Sequence, residues 1–454
     1  MNRQFTSPNY EATLNETIRL GDALPAGHLA RFVVGIVSQL DVSSVYAKYG
    51  ERGGKPLAPE VLLGLLFYGY ATGIFSSRKI ERAIQESIPF RYVAGGLHPD
   101  HDTIANFRKN FLPEIQELFV QVLLLAQAAG VLKMGNLSID GSKIHADASK
   151  SHAVSHKRLL ELEEKLREQV AQLFDLAERA DQGEVNLPEN LVIQDEIALR
   201  QTRLENLSKA KSVLQERAKQ RYANELAEYE AKMRKREEKA RKTKRKPGGR
   251  EPKAPTPGPR DQDQYNFTDP DSRIMKNSTD EGFDQHYNVQ VAVTQESMLI
   301  VATSLSNHPN DKQEVKPTVN ALSPQLGRAK AAALDTGFFS EANIRFLEER
   351  NIDPYIAIGR DSHQRDVASL LAGVPTPPPV DASPTEKMAY KLCTEIGHAI
   401  YALRKSTVEP VIGIIKEVLG FRQFSLRGLL PAAGEWSLVC LAFNLKRLHL
   451  LMPH

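Results

Sequence analysis

Hydrophobic and polar positions divide the chain into a helical N-terminal part, a charged middle part and a C-terminal part that contains strands. Between residues 27 and 130 the apolar residues recur at helical spacing, with a break at the Pro- and Gly-rich stretch 54–59. After this break the pattern predicts an apolar helix over 60–70 and a second helix over 77–87. We therefore expect residues 1–130 to form an all-helical domain.

The stretch that follows position 101 predicts a third short helix with an exposed basic face. Asp102 or Thr103 would cap its N-terminus, and its exposed face would carry Asn106, Lys109 and Asn110, with Arg108 nearby. Two short helices around a Gly-containing turn, the second of them basic, are typical of a helix-turn-helix DNA reader. A generic helical bundle gives the same pattern, so this stretch alone leaves both interpretations open.

A short stretch after the helical part, Leu137–His145, predicts a buried strand that delivers a carboxylate. Leu137 and Ile139 are apolar, Asp140 follows them, and Gly141 would let the chain turn directly afterwards. A strand end is a rigid mount, and rigid mounts suit metal ligands. An aspartate in this position more often caps a turn or the next helix, so a function for Asp140 depends on partners elsewhere in the chain.

The middle of the chain predicts two long charged helices. From His156 the apolar residues recur every three or four positions, Gly183 and Pro188 interrupt the pattern, and a second amphipathic run begins near Ile193. This pattern is typical of an antiparallel helical hairpin, which would be either an inert spacer or a binding arm.

A basic block follows the second long helix. Residues 232–250 contain eleven Lys or Arg and two Glu, a local charge of +9 within a net charge of +3. Such a block attracts polyanions through counterion release, or it serves as a solvated tether. The Pro- and Gly-rich residues 247–259 predict a linker without regular structure.

Strand patterns dominate the chain after position 265. Residues 283–293 alternate between apolar and polar types and 298–303 are apolar, which predicts two adjacent antiparallel strands. The stretch 331–337 repeats the earlier theme, with an apolar strand, Asp335 at its end and then a glycine. A helical region closes the chain and contains Glu409. The fold class is therefore α+β or α/β, with a mixed sheet flanked by helices.

Composition narrows the class of protein. The chain has 454 residues, of which 41% are hydrophobic and 25% are charged, as in soluble proteins of several domains. No run approaches the roughly 18 apolar residues of a membrane helix. Cys393 and Cys440 are far apart, which argues against disulfides and a zinc site and for a reducing cytoplasm.

Three acidic residues are candidate ligands for divalent metal ions. Asp140 and Asp335 on strands and Glu409 on a helix would suit two divalent metals that clamp a phosphodiester. Hard oxygen ligands favour Mg²⁺, with Mn²⁺ as a substitute. The chain has 56 acidic residues. Strand position selects the two aspartates from them, whereas Glu409 needs further support.

That support comes from a resemblance. The spacing Tyr401-x2-Arg404-x4-Glu409-x6-Lys416 resembles the Tyr-Arg-Glu-Lys signature of cut-and-paste DDE transposases from bacterial insertion sequences. The family has three residues between Arg and Glu, and this chain has four. The resemblance keeps the order of the family over nearly the whole chain, and its other matching segments are 102–108, 139–143, 269–276, 287–290, 307–311 and 334–337.

The resemblance implies a domain organisation. Residues 1–130 would form the helical DNA-binding domain. Residues 131–155 and 265–454 would form the two parts of an RNase H-like catalytic domain. Residues 156–264 would be a helical insertion between the first two catalytic aspartates, consistent with the 195 positions from Asp140 to Asp335.

The resemblance also implies roles for single residues. Asp140, Asp335 and Glu409 would be the catalytic metal ligands. Tyr401 and Arg404 would hold the terminal nucleotide at a transposon end, and Lys416 and Lys143 would lie near DNA phosphates. For Arg404 and Lys416 the alternative is an ordinary surface charge. The histidines at 145, 152 and 286 and the single Trp436 are expected to be packing residues.

The function implied is that of a DNA transposase. It would bind double-stranded DNA at the terminal inverted repeats of its element, cut it with metal-activated water and join the 3′ hydroxyl to target DNA. Because two ends are cut together, we expect a homodimer in a synaptic complex. Two alternatives remain: a cleavage-inactive relative that acts as a DNA-binding regulator, and a coiled-coil scaffold built on residues 156–245.

Overall fold

The structure is a computed structural model that describes residues 17, 19–50, 55–188, 190–243, 248–277, 282–359 and 376–452. The chain divides into two compact units. The first contains residues up to 147, residues 277–282 and residues from 286 onward, and the second contains residues 148–276 and 283–285. Residues on both sides of the predicted domain boundary at position 130 therefore lie in the first unit.

The helices of the described residues are, in chain order, α1 Leu20–Ala23, α2 Leu29–Val37, α3 Ser43–Tyr46, α4 Pro59–Ala71, α5 Ser77–Glu86, α6 Ile88–Val93, α7 His101–Asn110, α8 Leu112–Ala128, α9 His156–Asp181, α10 Ile193–Thr243, α11 Val315–Asn320, α12 Glu341–Glu349, α13 Pro384–Cys393, α14 Glu395–Gly413 and α15 Leu429–Leu451. The strands are β1 Asn136–His145, β2 Ala153–Ser155, β3 Gln264–Asn266, β4 Arg273–Lys276, β5 Phe283–Thr294, β6 Ile300–Ser306, β7 Ala331–Leu334 and β8 Asp353–Ile356.

A mixed sheet forms the centre of the first unit. Strand β1 lies between β5, to which it is antiparallel, and β7, to which it is parallel. Strand β8 extends the parallel side, and β6 pairs with β5 on the antiparallel side. The predicted antiparallel pair is therefore confirmed as β5 and β6. The side chains of β7 are all buried, as expected for a parallel strand covered on both faces.

Helix α15 packs the N-terminal helices onto this sheet. It contacts α8, α4 and β6, and most of its side chains are buried, including Trp436 at 1% exposure. The indole nitrogen of Trp436 donates to the carbonyl of Gln290, which confirms Trp436 as a core residue. Helix α4 has apolar side chains on all sides, which is the pattern of a helix that its neighbours bury completely.

A buried polar cluster connects α4, α7 and α15. The Glu435 carboxylate, 0% exposed, accepts hydrogen bonds from the Tyr70 hydroxyl and from the backbone N–H groups of Ser425 and Leu426. The Arg108 guanidinium donates to the Tyr70 hydroxyl at 2.8 Å and lies 3.7 Å from Glu435. Burial and the nearby carboxylate raise the pKa of Tyr70, which keeps its hydroxyl protonated. The cluster is therefore neutralised internally.

The position of Arg108 corrects one prediction. Arg108 is only 7% exposed, so it does not lie on the solvent face of α7. Asn106 and Lys109 are exposed, as predicted. The N-cap of α7 is also different: the Asp100 carboxylate, and not Asp102 or Thr103, accepts the capping bond, from the Thr103 N–H at 2.6 Å.

The second unit is built on the two long helices α9 and α10. Lys211 pairs with Glu163, and Arg200 donates to Gln169, so the helices run in opposite directions. Their shared core contains Val154, Leu159, Leu207, Ala210 and Leu214. Strand β2 at the start of the segment pairs with β3 at its end.

The structure changes the interpretation of the basic block and the linker. Helix α10 continues to Thr243, so the first twelve residues of the basic block are helical. The described residues 248–259 of the Pro- and Gly-rich stretch have no regular structure, as predicted, but the far end of the stretch is held against α10. Arg221 donates to Asp263 at 2.7 Å and to the Gly258 carbonyl at 3.2 Å, and Arg260 pairs with Glu225.

The helices of the described ranges differ from membrane spans in length or in apolar character. No single helix there has both the length and the apolar character of a membrane span. Helices α7 and α8 meet those criteria only when they are taken together, and they are bent by 76° with respect to each other.

We predict that Arg108→Ala lowers the free energy of unfolding by about 3–5 kcal/mol, because it leaves Glu435 buried without its cation. Lys109→Ala, one residue further along the same helix and exposed, is the matched control and should change it by less than about 0.5 kcal/mol. Urea denaturation followed by circular dichroism measures both. Equal stability of the two variants would contradict a structural role for Arg108.

Candidate active site

The sheet register places Asp140 beside Asp335. Ile139 on β1 pairs with Leu334 on the parallel strand β7, and each is followed by one of the aspartates. Asp335 comes directly after the strand end, as predicted. Asp140 does not, because β1 continues to His145 and keeps Asp140 near the middle of the strand. The two carboxylates are thus held by one rigid strand and one strand end.

Helix α14 crosses the face of β1 that carries Asp140. Side chains two residues apart on a strand point to the same face, so Ser138, Asp140 and Ser142 form a row. Thr407 donates to Ser138 at 2.9 Å and Arg404 to Asp140 at 2.7 Å. Ser138 also accepts a bond from Gln295 at 3.1 Å. This polar row fixes the position of α14 on the sheet.

Arg404 lies at the centre of the three predicted acidic residues. Its guanidinium contacts the carboxylates of Asp140 at 2.7 Å, Glu409 at 2.9 Å and Asp335 at 3.9 Å. The Arg404 side chain is 9% exposed, whereas those of Asp335 and Glu409 are about half exposed at 49% and 46%. One buried cation therefore contacts three carboxylates, and those of Asp335 and Glu409 are open toward solvent.

The electrostatics of the site reflect this crowding. Burial raises the pKa of Asp140 to about 6, and Asp335 and Glu409 add to the rise, while Arg404 and the Gly141 N–H oppose it. Burial disfavours the Arg404 cation, but the surrounding carboxylates outweigh that effect and raise the pKa of Arg404. The guanidinium is charged at any physiological pH, so it compensates part of the negative charge.

Lys416 reaches β1 from a distorted helical turn. Pro410 lies inside α14 and has no N–H to donate, and a π-helical turn over Ile414–Val418 follows. The Lys416 ammonium donates to the Ser142 hydroxyl at 3.2 Å, at the end of the row that contains Asp140. Burial lowers the pKa of Lys416. Lys416 therefore contacts the strand of Asp140 and not Glu409.

Gly141 has a different role from the one expected. The chain does not turn at this position, but a Cβ atom there would lie 2.1 Å from the Gln290 side-chain nitrogen. Gly141 pairs in register with Gln290 on β5, and the Gln290 carboxamide covers it. Glycine leaves room for this buried side chain, and any larger residue would force Gln290 to move.

The other predicted residues are more dispersed. Tyr401 lies near the site, with the Arg404 guanidinium carbon 5.9 Å from its ring centroid. Lys143 is half-buried on β1, in register with Asn288. Asn106 and Lys109 belong to α7 and are not part of this group. The structure thus brings Asp140, Asp335, Glu409, Arg404 and Tyr401 together.

Sequence reasoning gave no supporting role to the buried polar residues around the site. Ser138, Thr407 and Gln295 lie between α14 and β1, and Asn288 and Gln290 lie on β5. Asn288 and Gln290 stand two residues apart within an otherwise buried strand. Polar residues at that spacing in a strand buried on both faces are a signal that was available in the sequence.

The donor set suits a hard divalent cation in its chemistry. Three carboxylates already converge on one positive group, and carboxylate oxygen is the preferred ligand of Mg²⁺ and Mn²⁺. Within the described part of the chain, however, no three Asp, Glu, His or Cys side chains stand in a group spaced to hold a metal ion. Arg404 lies where the carboxylates meet, so metal binding requires Arg404 to move.

Two family models match separate parts of the chain. A model described as a transposase domain (DUF772) matches residues 18–110, and one described as a transposase DDE domain matches residues 379–449. Together they support a DDE-type transposase. The second match contains Arg404, Glu409 and Lys416, whereas Asp140 and Asp335 lie between the two matches. No curated protein and no solved structure matches the chain significantly.

We predict that Arg404→Gln destabilises the metal-free chain by about 1–3 kcal/mol, because it leaves partly buried carboxylates without their cation. Mg²⁺ or Mn²⁺ should then raise the melting temperature of this variant more than that of the wild type. Arg422→Gln, which removes an exposed arginine paired with Glu417, is the matched control. Equal metal-induced shifts in Arg404→Gln and wild type would refute the placement of Arg404 in the cation site.

We also predict that Mn²⁺ affinity depends on pH through Asp140. Because the pKa of Asp140 is raised to about 6, this carboxyl is protonated below that pH and must lose its proton to bind a cation. Affinity should rise as pH increases through 6 and should fall by up to about tenfold per pH unit below it. Titration of Mn²⁺ at pH 5, 6 and 7, with electron paramagnetic resonance of the free ion, tests this. A flat profile would argue against Asp140 as a ligand.

Proposed function

We propose that the chain is a DNA transposase that cuts phosphodiester bonds at the ends of its own element and joins the freed 3′ ends to target DNA. The observation that carries the proposal is the convergence of Asp140, Asp335 and Glu409 on Arg404. The order of these residues in an α/β unit with a mixed sheet supports an RNase H-like catalytic domain of the insertion-sequence type.

The three carboxylates would hold the metal ions. Asp140, Asp335 and Glu409 would supply the carboxylate oxygens that bind them. When bound, two Mg²⁺ ions, or Mn²⁺ in their place, would lower the pKa of the attacking water or hydroxyl and stabilise charge on the leaving oxygen. The strand and strand end that carry the aspartates keep them in place, and the half-exposed Glu409 and Asp335 leave the site open to DNA.

Arg404 would exchange partners when DNA binds. Its planar guanidinium binds carboxylates and phosphates with the same donor geometry. A DNA phosphate near the site would compete with the carboxylates for Arg404, and the carboxylates would then become available to cations. Tyr401, next to Arg404, would contact the terminal nucleotide, and Lys416 would face the phosphates from the helical turn. Lys143 alternates with Asp140 and Ser142 along β1, so it would reach DNA phosphates from the other face of the strand.

Recognition of the element would fall to other basic surfaces. Asn106 and Lys109 are exposed on α7, and the described part of the basic block extends along the end of α10. We propose that these surfaces bind the terminal inverted repeats. Two ends must be cut together, so the active form would be a homodimer in a synaptic complex, located in the cytoplasm with the nucleoid.

We predict that Asp140→Asn and Asp335→Asn each reduce Mg²⁺-dependent cleavage of duplex DNA that carries the flanking inverted repeats by at least about a thousandfold. Each change removes a ligand whose contribution to transition-state stabilisation is several kcal/mol. Binding of the same DNA, measured by electrophoretic mobility shift, should remain. Glu348→Gln, an exposed carboxylate on α12, is the control.

Two outcomes would change the assignment. Full cleavage by either aspartate variant would exclude the proposed site. Binding without cleavage by the wild type, in both Mg²⁺ and Mn²⁺, would favour a cleavage-inactive regulator derived from a transposase.

A further inference from the structure

A second polar network lies on the opposite face of the sheet from α14. Asn288 and Gln290 on β5 are 1% and 0% exposed, and their side-chain nitrogens donate to the same oxygen of Asp311, at 2.8 and 3.1 Å. The Gln290 nitrogen also donates to the Asn288 side-chain oxygen at 3.1 Å. We call Asn288, Gln290 and Asp311 the amide network. Its members come from one strand and from the loop that follows β6.

The amide network touches the strand that carries Asp140. Gly141, the residue after Asp140, lies directly under the Gln290 carboxamide, and any Cβ at this position would overlap it. Neighbouring residues on a strand point to opposite faces, so Gln290 contacts β1 from behind while the Asp140 side chain points to α14. Contact with the main chain next to Asp140 is therefore direct, and contact with its carboxylate is not.

The same network touches the turn that carries Asp335. A Cβ atom at Gly337, two residues after Asp335, would lie 3.3 Å from the second carboxylate oxygen of Asp311. Asp335 precedes the 3₁₀ turn Thr336–Phe338, in which Gly337 is the central residue. Asp311 thus uses one oxygen to hold the two amides on β5 and presents the other to the Asp335 turn.

The orientation of Gln290 comes at an energetic cost. Asp311 and Asn288 both offer acceptor oxygens, so Gln290 must present its nitrogen to them, and its own oxygen is then buried with no hydrogen-bond partner among the described residues. An unpaired buried oxygen destabilises the fold, and such groups require an explanation. A requirement to hold β1 and the Asp335 turn in register supplies one.

We infer that the amide network positions the metal-binding aspartates, with Asp311 setting the distance between the Asp140 strand and the Asp335 turn. Asp311 is a positioning residue, and Gly141 and Gly337 are the two points at which the network acts. The inference rests on the proposed function, because it requires that Asp140 and Asp335 bind metal. Partners of this kind, which touch ligands only indirectly, typically change metal affinity 10- to 100-fold.

The test measures Mn²⁺ affinity of the full chain without DNA, by electron paramagnetic resonance of the free ion. Asp311→Ala should weaken binding by about 10- to 100-fold. Asp311→Asn keeps an oxygen that accepts from Asn288 and Gln290, and we expect affinity within about fivefold of the wild type. Glu341→Gln removes an exposed carboxylate on α12 and should have no effect.

Two glycine variants test the network without removing a carboxylate. Gly141→Ala forces Gln290 to move and should weaken Mn²⁺ binding by about tenfold or more, although no ligand is altered. Gly337→Ala displaces the Asp311 contact by only a few tenths of an ångström and should have a smaller effect of the same sign. If Asp311→Ala fails to fold, as judged by its thermal melt, these variants decide the question.

The outcomes separate this inference from the proposed function. Wild-type affinity in Asp311→Ala and Gly141→Ala would overturn the positioning role. An Asp311→Asn variant as impaired as Asp311→Ala would also overturn it, because the charge of Asp311 would then matter and not its geometry. Wild-type affinity in Asp140→Asn, or no Mn²⁺ binding by the wild type at millimolar concentration, would overturn the proposed metal site and with it this role.

Discussion

Compensation of clustered negative charge is the constraint on which the arrangement of α14, β1 and β7 depends. Three carboxylates that meet at one place repel each other, and the burial of Asp140 makes its ionised form still less favourable. Arg404 supplies the compensating charge from a position that is itself almost fully buried. Because a buried guanidinium needs acceptors as much as the carboxylates need a donor, neither side is stable there without the other.

This constraint explains the polar layer between α14 and β1. An arginine can satisfy three carboxylates only if its helix has a fixed position along the strand, and the Thr407–Ser138 bond fixes it. Apolar packing alone would tolerate small sliding of the helix, whereas directional hydrogen bonds do not. The Pro410 distortion then turns the helix so that Lys416 also returns to β1. On the other face, polar side chains of β5 support the same strand.

Most local elements could be predicted from the sequence, whereas most long-range contacts could not. Apolar runs and alternation predicted β5, β6 and β7, and they placed Asp335 at a strand end. The end of β1 was predicted wrongly because a glycine after an aspartate suggests a turn. Gly141 instead leaves room for the side chain of Gln290, which is 149 positions away in the sequence. Arg108 was misjudged in the same way, since its partners Tyr70 and Glu435 belong to distant helices. That Asp140, Asp335 and Glu409 meet could be expected only from the resemblance, because spacing along a chain does not determine which residues meet, and the contact of Arg404 with all three was not expected.

The pairing of β2 with β3 has a consequence for how such chains vary in length. The two long helices lie between the neighbouring strands β2 and β3, so the ends of this helical segment are closed by a short ladder of hydrogen bonds. A segment anchored in this manner can grow, shrink or be replaced by a tight hairpin turn without any change in the register of the strands that flank it. The long helices are thus attached at one closed junction, where a change in their length need not disturb the pairing of β2 with β3.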